Sequence, residues 1–232
     1  MAVPASGASS ARHTRRGRSR RAPEPEERQR DAERSRQALL AAALDEFAAK
    51  GFAGARVTEI ADRAGVNKQL INYYFESKEG LYLALQRAWL EREERFAAPE
   101  VPLAELALRY LADTFRDPRP MLLLLWRGLD NAWAPPDATD HQEALEDLRR
   151  RQAQGELAGD LDPAAVLLAT MAMVAAPVAL PQVARELFGA DPTTEGFQTR
   201  YADQLQRILE HLGGRCPHSP AQPGGDTGNG AG

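Results

Sequence analysis

The chain holds only three lysines, Lys50, Lys68 and Lys78, and two of them flank the Tyr-Tyr-Phe run in VNKQLINYYFESKEG, residues 66–80. At helical spacing Lys68, Gln69, Asn72 and Tyr73 share an outer side, while Leu70, Ile71 and Phe75 share the inner one. An ammonium group donates to guanine O6 or N7, the carboxamides of Gln69 and Asn72 match the adenine edge, and a tyrosine ring meets a thymine methyl. Tyr74, Lys78 and the backbone amides after Thr58 and Ser77 suit phosphate oxygens. Together they have the chemistry of a short helix laid in the major groove of duplex DNA. A helical hairpin with glycine at its turn would share part of this pattern, with Tyr73 and Tyr74 reduced to packing.

Such a helix needs a scaffold, and the flanking residues predict one. Leu39, Leu40, Ala43, Leu44 and Phe47 recur at helical spacing over 31–50, and Gly51 is a C-terminal stop. Thr58 is placed to cap a short second helix carrying Ile60, Ala61 and Ala64 on one face. Gly65 permits a tight turn, Val66 plugs inward, and Asn67 caps the third helix over 68–75. Ser77 caps a fourth, with Leu81, Tyr82, Leu85, Ala88 and Trp89 on its inner side. After Pro99 the helices lengthen, punctuated by Asp117-Pro118, Pro135-Pro136, the 155–162 stretch, Pro181 and Asp191-Pro192. Asp162-Pro163 is a cap followed by an N1 proline. The last helix, 194–212, carries Phe197, Tyr201, Leu205, Ile208, Leu209 and Leu212 along one stripe. The fold class expected is all-α, with about nine helices.

Composition agrees, since 43% of the 232 residues are apolar, mostly Ala and Leu, and no alternating β-branched run appears. The net charge of −4 is uneven: residues 1–22 carry six arginines and no acid, leaving 23 basic against 33 acidic groups in the remaining 210. An arm of that kind is expected to be disordered and to follow nucleic-acid phosphates, or to remain a solvated tail. It lacks the apolar stretch of a secretory signal and only slightly resembles an organellar transit peptide. The expected division is a disordered basic arm over 1–30, a helix-turn-helix domain over 31–78, a helical domain over 79–212 and a disordered tail over 213–232. Cys216 is the sole cysteine and lies in that tail, so neither a disulfide framework nor a clustered metal site is expected, and the chain reads as cytoplasmic. AAVLLATMAMVAAPVAL, 164–180, holds no charge and approaches spanning length, but its alanines, Pro177 and lack of aromatic anchors favour a buried helix.

The run VTEIADRAGVNKQLINYYFESKEGLY, 57–82, resembles the DNA-binding signature of the tetracycline repressor (TetR) family: a Thr-led helix, an Ala-Gly-Val turn, Tyr-Tyr-Phe, then Ser-Lys-Glu and Leu-Tyr. The motifs are strong over 35–90. The resemblance implies an N-terminal three-helix domain and a larger helical domain for ligand binding and dimerisation. By position, Lys68, Gln69, Asn72 and Tyr73 would face bases, and Thr58, Tyr74 and Lys78 would hold phosphates. Asn72 stands where a tyrosine is frequent in the family, and Leu70 where a small or hydroxyl residue is frequent; both bear on the operator sequence. Family members are similar in pairing through their last two helices, here about 163–178 and 194–212, which carry more apolar surface than one packing face needs. Leu167, Val174, Phe197, Tyr201, Leu205 and Ile208 are the expected homodimer contacts, and two-fold symmetry then implies a palindromic operator.

An effector cavity is expected from Tyr110, Phe115, Met121, Trp126, Trp133, Met171 and Met173, with Arg127, Asp130, Asn131 or His141 as polar anchors. Its small-molecule ligand, unidentified in class beyond apolar, would act by shifting the fourth helix. Catalysis is disfavoured. Only Ser35 and Ser77 lie in segments expected to be ordered, Ser77 is a cap, and His13, His141, His211 and His218 are scattered without metal-ligand spacing. No cofactor is expected. The alternative function is a nonspecific DNA organiser using the arm and the helix-turn-helix, which a sharp preference for one palindrome would exclude.

Overall fold

The computed structural model describes residues 25–93, 100–129 and 141–213, and among these the chain is entirely helical. Four helices form the N-terminal part: α1 (Pro25–Gly54), α2 (Val57–Ala64), α3 (Gln69–Phe75) and α4 (Lys78–Glu93). Six follow: α5 (Leu103–Arg116), α6 (Arg119–Leu129), α7 (Gln142–Ala153), α8 (Pro163–Ala179), α9 (Pro181–Phe188) and α10 (Glu195–Leu212). Ten described helices replace the nine or so expected because Pro181 opens a helix as well as ending one: it occupies the first turn of α9, where its missing N–H costs nothing.

α1 begins at Pro25, so residues 25–30 are helical rather than part of the arm expected over 1–30. Residues 1–24 and 214–232 lie outside the described residues. Gly51 breaks α1 as expected, at φ 68° and ψ 176°, but one more turn follows before Gly54. Leu39, Ala43 and Phe47 of α1 close over Ile60 and Ala61 of α2, Ile71 and Phe75 of α3, and Leu81, Tyr82 and Leu85 of α4. Phe47 and Tyr82 meet edge to face at 5.2 Å between ring centres, a geometry that favours aromatic pairs beyond their burial. Because α4 supplies three of these buried side chains, the boundary expected after residue 78 cuts through a single packed cluster.

The second cluster joins Ala107 and Leu111 of α5 to Val174 of α8 and to Leu205 and Leu209 of α10. Asp162 caps α8 as its sequence predicts, accepting from the Ala164 amide at 2.7 Å ahead of Pro163. Thr194 caps α10, accepting from Phe197 N. Among the described residues no single helix is long and apolar enough to cross a membrane; α8 and α9 pass that test only together, and they meet at 88°.

Candidate nucleic-acid interface

α2 and α3 are joined by a turn whose geometry follows from three residues. Gly65 adopts the left-handed conformation, at φ 65°, which a side chain would resist, and Val66 N donates back to Ala61 O at 3.1 Å. Asn67 Oδ1 accepts from Gln69 N at 2.8 Å and so opens α3 as expected. Thr58 differs from expectation. Arg56 is the residue preceding α2, with no side-chain cap, and Thr58 lies exposed in the first turn because Val57 already has helical geometry.

Lys68, Gln69, Asn72 and Tyr73 are all exposed, while Ile71 and Phe75 are buried and Leu70 is half-buried beneath them. Tyr73 is 77% exposed, an unusual position for an aromatic ring with no partner surface, and rests edge-on against Tyr74 at 4.9 Å. Three groups with base-reading chemistry thus stand on the seven-residue α3, and Lys68 stands just ahead of it.

The exit of α3 is held as firmly as its start. Glu76 has φ 67°, and Ser77 N donates to Phe75 O at 2.7 Å across it, which makes a rare, strained γ-turn. Ser77 Oγ accepts from Gly80 N at 3.1 Å and caps α4 as expected. Gly80 packs so tightly under this turn that a Cβ there would stand 1.9 Å from Phe75 O. Neither the Glu76 geometry nor the need for glycine at 80 is predicted by helical periodicity; the Phe-x-Ser-x-x-Gly spacing is the signal that contained both. The Lys78 ammonium lies 4.6 Å from the centre of the Phe52 ring, at the edge of the same surface.

The expected effector cavity is only partly assembled. Tyr110 and Phe115 pack beside Met121 and Met173 against the second cluster, and Met171 is half-buried on α8. Trp126 does not join them: its Nε1 donates to Ala48 O at 3.0 Å and its ring lies over Gly51, so it fastens α6 to α1 instead. Asp130, Asn131 and Trp133 lie outside the described residues, and His141 is exposed ahead of α7. Two concave spaces lie beside this set, one of them lined in part by the expected anchor Arg127. One groove of about 590 Å³ runs between the start of α5, the end of α10 and Glu156. A cleft of about 160 Å³ between α1, α4 and α6 is lined by Leu44, Tyr82, Trp89, Asp117 and Arg127 among others.

Three of the expected dimer contacts are corrected. Phe197 and Leu205 are each only 2% exposed and Val174 is buried with them, so their surface is consumed inside one protomer. Tyr201 is half-buried and its hydroxyl donates to Met173 O at 2.7 Å. Apart from Ile208, the stripe along α10 faces the protomer's own core: Tyr201, Leu205, Leu209 and Leu212 pack with α5 and α8, and Phe197 meets Phe188 of α9. Leu167 is half-buried and Ile208 exposed. Apart from Tyr73 on α3 and Leu129 at the end of α6, the exposed large apolar side chains among the described residues are Leu168 on α8, Leu180 just after it, Val183 and Leu187 on α9, and Ile208 on α10.

Comparison with known proteins agrees with this geometry. The family description "Bacterial regulatory proteins, tetR family" matches residues 39–85, and "Tetracyclin repressor-like, C-terminal domain" matches residues 102–204. The HTH-type transcriptional repressor SCO4008 of Streptomyces coelicolor is 30% identical over 192 residues, covering 78% of this chain and 98% of that protein. The HTH-type transcriptional regulator RutR of Escherichia coli strain K12 is 42% identical over 83 residues, covering 34% of this chain and 39% of RutR. Among solved structures, the putative transcriptional regulator SCO4942 from Streptomyces coelicolor superposes with a TM-score of 0.61 at 27% identity, covering 75% of this chain and 97% of that one.

Proposed function

Because the chain belongs to the tetR family of bacterial regulatory proteins, we propose that it represses transcription as a homodimer on a palindromic operator and is released by a small apolar effector. The observation that carries this reading is the exposed set at α3, where Lys68 just before the helix and Gln69, Asn72 and Tyr73 on it stand clear of the core, with the helix pinned at both ends. In this reading those four meet base edges, and Thr58, Tyr74 and Lys78 hold phosphates. The reading head extends through α4, the remaining helices form the effector and pairing domain, and the arm adds sequence-independent attraction. The role is regulatory rather than catalytic, as the names of the relatives indicate for those proteins.

A second copy would cover the exposed apolar side chains Leu168, Leu180, Val183, Leu187 and Ile208, with half-buried Leu167 beside Leu168 in the chain. The effector would enter the α5–α8 interior beside Tyr110, Phe115 and Met171. Supporting that location, Thr170 Oγ1 on α8 is buried with no hydrogen-bond partner among the described residues, and a ligand oxygen or nitrogen would satisfy it.

Selection of random duplex DNA on the purified protein, followed by titration of the winner at two salt concentrations, tests the proposal. A palindrome bound at least about 10³-fold more tightly than random duplex is expected. No enrichment, with binding that collapses as salt rises, would instead establish the nonspecific organiser.

A further inference from the structure

α6 touches the reading head along one stripe, Arg119, Leu123 and Trp126, at successive helical turns. Leu123 is buried in the head's own cluster, and Trp126 is fastened to Ala48 and Gly51 of α1. Arg119 makes the polar contact. Its guanidinium is held by Asp117, with Nε 2.7 Å from Oδ1 and Nη2 2.8 Å from Oδ2, and Nη1 donates to Asp45 Oδ1 on α1 at 2.6 Å. The other oxygen of that carboxylate, Asp45 Oδ2, lies 3.6 Å from Nη1 of Arg63 on α2.

From Arg63 the charges continue to alternate. Its Nη2 is 3.9 Å from Glu46 Oε2, Glu46 Oε1 accepts from Lys50 Nζ at 2.5 Å, and Lys50 also pairs with Glu59 in the first turn of α2. Glu46 is only 1% exposed, so loss of Lys50 or Arg63 would leave a buried carboxylate short of a partner. Asp45 and Arg63 themselves are partly solvated, and pairs of that kind contribute little to stability. Their consequence is geometric: one carboxylate fixes α6 and α2 to the same point of α1, and α2 carries α3 through the Gly65 turn.

We propose that Asp45 is a positioning residue for DNA recognition, tying Arg119 of α6 to Arg63 of α2 so that a movement of α6 changes the tilt of the α2–α3 pair. This rests on the regulatory reading above. When α6 moves, Arg119 withdraws from Oδ1, the carboxylate turns, and Arg63 keeps Glu46 but loses the partner that links it to α6. Without Asp45 the two guanidiniums act independently.

The test is a mutant box read as operator affinity divided by affinity for random duplex at the same salt, a ratio that cancels the bulk effect of lost charge. The operator is the palindrome selected by the unaltered chain. Arg63→Gln, Arg119→Gln and their combination are each measured with Asp45 retained and with Asp45→Asn, and urea midpoints confirm folding. With Asp45 retained, the combined loss is expected to differ from the product of the single losses by about three- to tenfold. In the Asp45→Asn background that coupling is expected to vanish, and Asp45→Glu to restore part of it. Losses that simply multiply with Asp45 present, or coupling that persists without its charge, would overturn the inference while leaving the regulatory reading intact. Failure of the unaltered chain to select any duplex would overturn both.

Discussion

The reading head and the C-terminal domain finish their surfaces in opposite ways. In the head the large aliphatic residues are inside, and the outward side of α3 and its first-turn neighbour Lys68 carry amine, amide and phenol groups. In the C-terminal domain Leu168 and Leu187 remain more than 70% exposed after the core is filled, so that half is complete only against another apolar surface. In the proposed reading, recognition belongs to polar groups on the short, pinned α3 and assembly to leucines left exposed on α8 and α9.

The sharpest way to break this contrast is to charge the leftover face. Leu168→Glu with Leu187→Glu removes two leucines per protomer, and the two-fold axis counts each twice. At about 1.5–3 kcal/mol for each buried leucine, the association should weaken by on the order of 6 kcal/mol or more. Sedimentation should report a halved mass with unchanged helical circular dichroism. A retained dimer would place the interface elsewhere.

The core face should respond differently. Phe197→Ala empties a site buried between α9 and α10, where Phe197 stacks against Tyr201 and meets Phe188 edge to face. It should lower unfolding stability by about 3–5 kcal/mol as read by urea titration. If it instead left stability intact and released monomers, the inward assignment of that stripe would be wrong. In the head, Gly80→Ala forces a methyl against Phe75 O and should cost about 3 kcal/mol or more, with operator binding lost because the γ-turn that aims α3 opens. Full operator affinity in that variant would show that the turn does not set the pose of α3.

Legibility in the sequence follows the same division. The head could be read closely because its helices are short and their ends are marked: Gly65, Asn67 and Ser77 each do in the structure what their residue type predicts. The errors there are small, such as Thr58 falling within the first turn of α2 because Val57 is already helical. In the C-terminal domain the periodicity of α10 correctly identified an apolar stripe but could not say whether that stripe meets the same chain or a second one. Phe197 and Leu205 were therefore expected at the interface and are found in the core. α8 is apolar almost all round, which removes the contrast that would show its faces. Trp126 and Asp45 were illegible for another reason: their partners, Ala48 and Arg119, are fixed by the packing of α6 on α1, which no local pattern encodes.

The smallest effects separate reading from holding within the head itself. Asn72 is exposed on α3 and presents a carboxamide capable of a paired contact with adenine; Asn72→Ala should cost about 1–3 kcal/mol at particular operator positions and leave random duplex binding nearly unchanged. Lys78 is different in kind. Its ammonium lies over the Phe52 ring, and in the proposed reading its contribution is to phosphate attraction. Lys78→Ala should weaken operator and random duplex by the same factor and reduce the slope of log affinity against log salt by about 0.9 for each contact removed. Titrating both variants against the palindrome and a scrambled duplex at several salt concentrations distinguishes the two roles. If Asn72→Ala changed the salt slope, or Lys78→Ala changed the ratio between the two duplexes, the division between base-reading and phosphate-holding residues would fail, and with it the claim that α3 alone reads sequence.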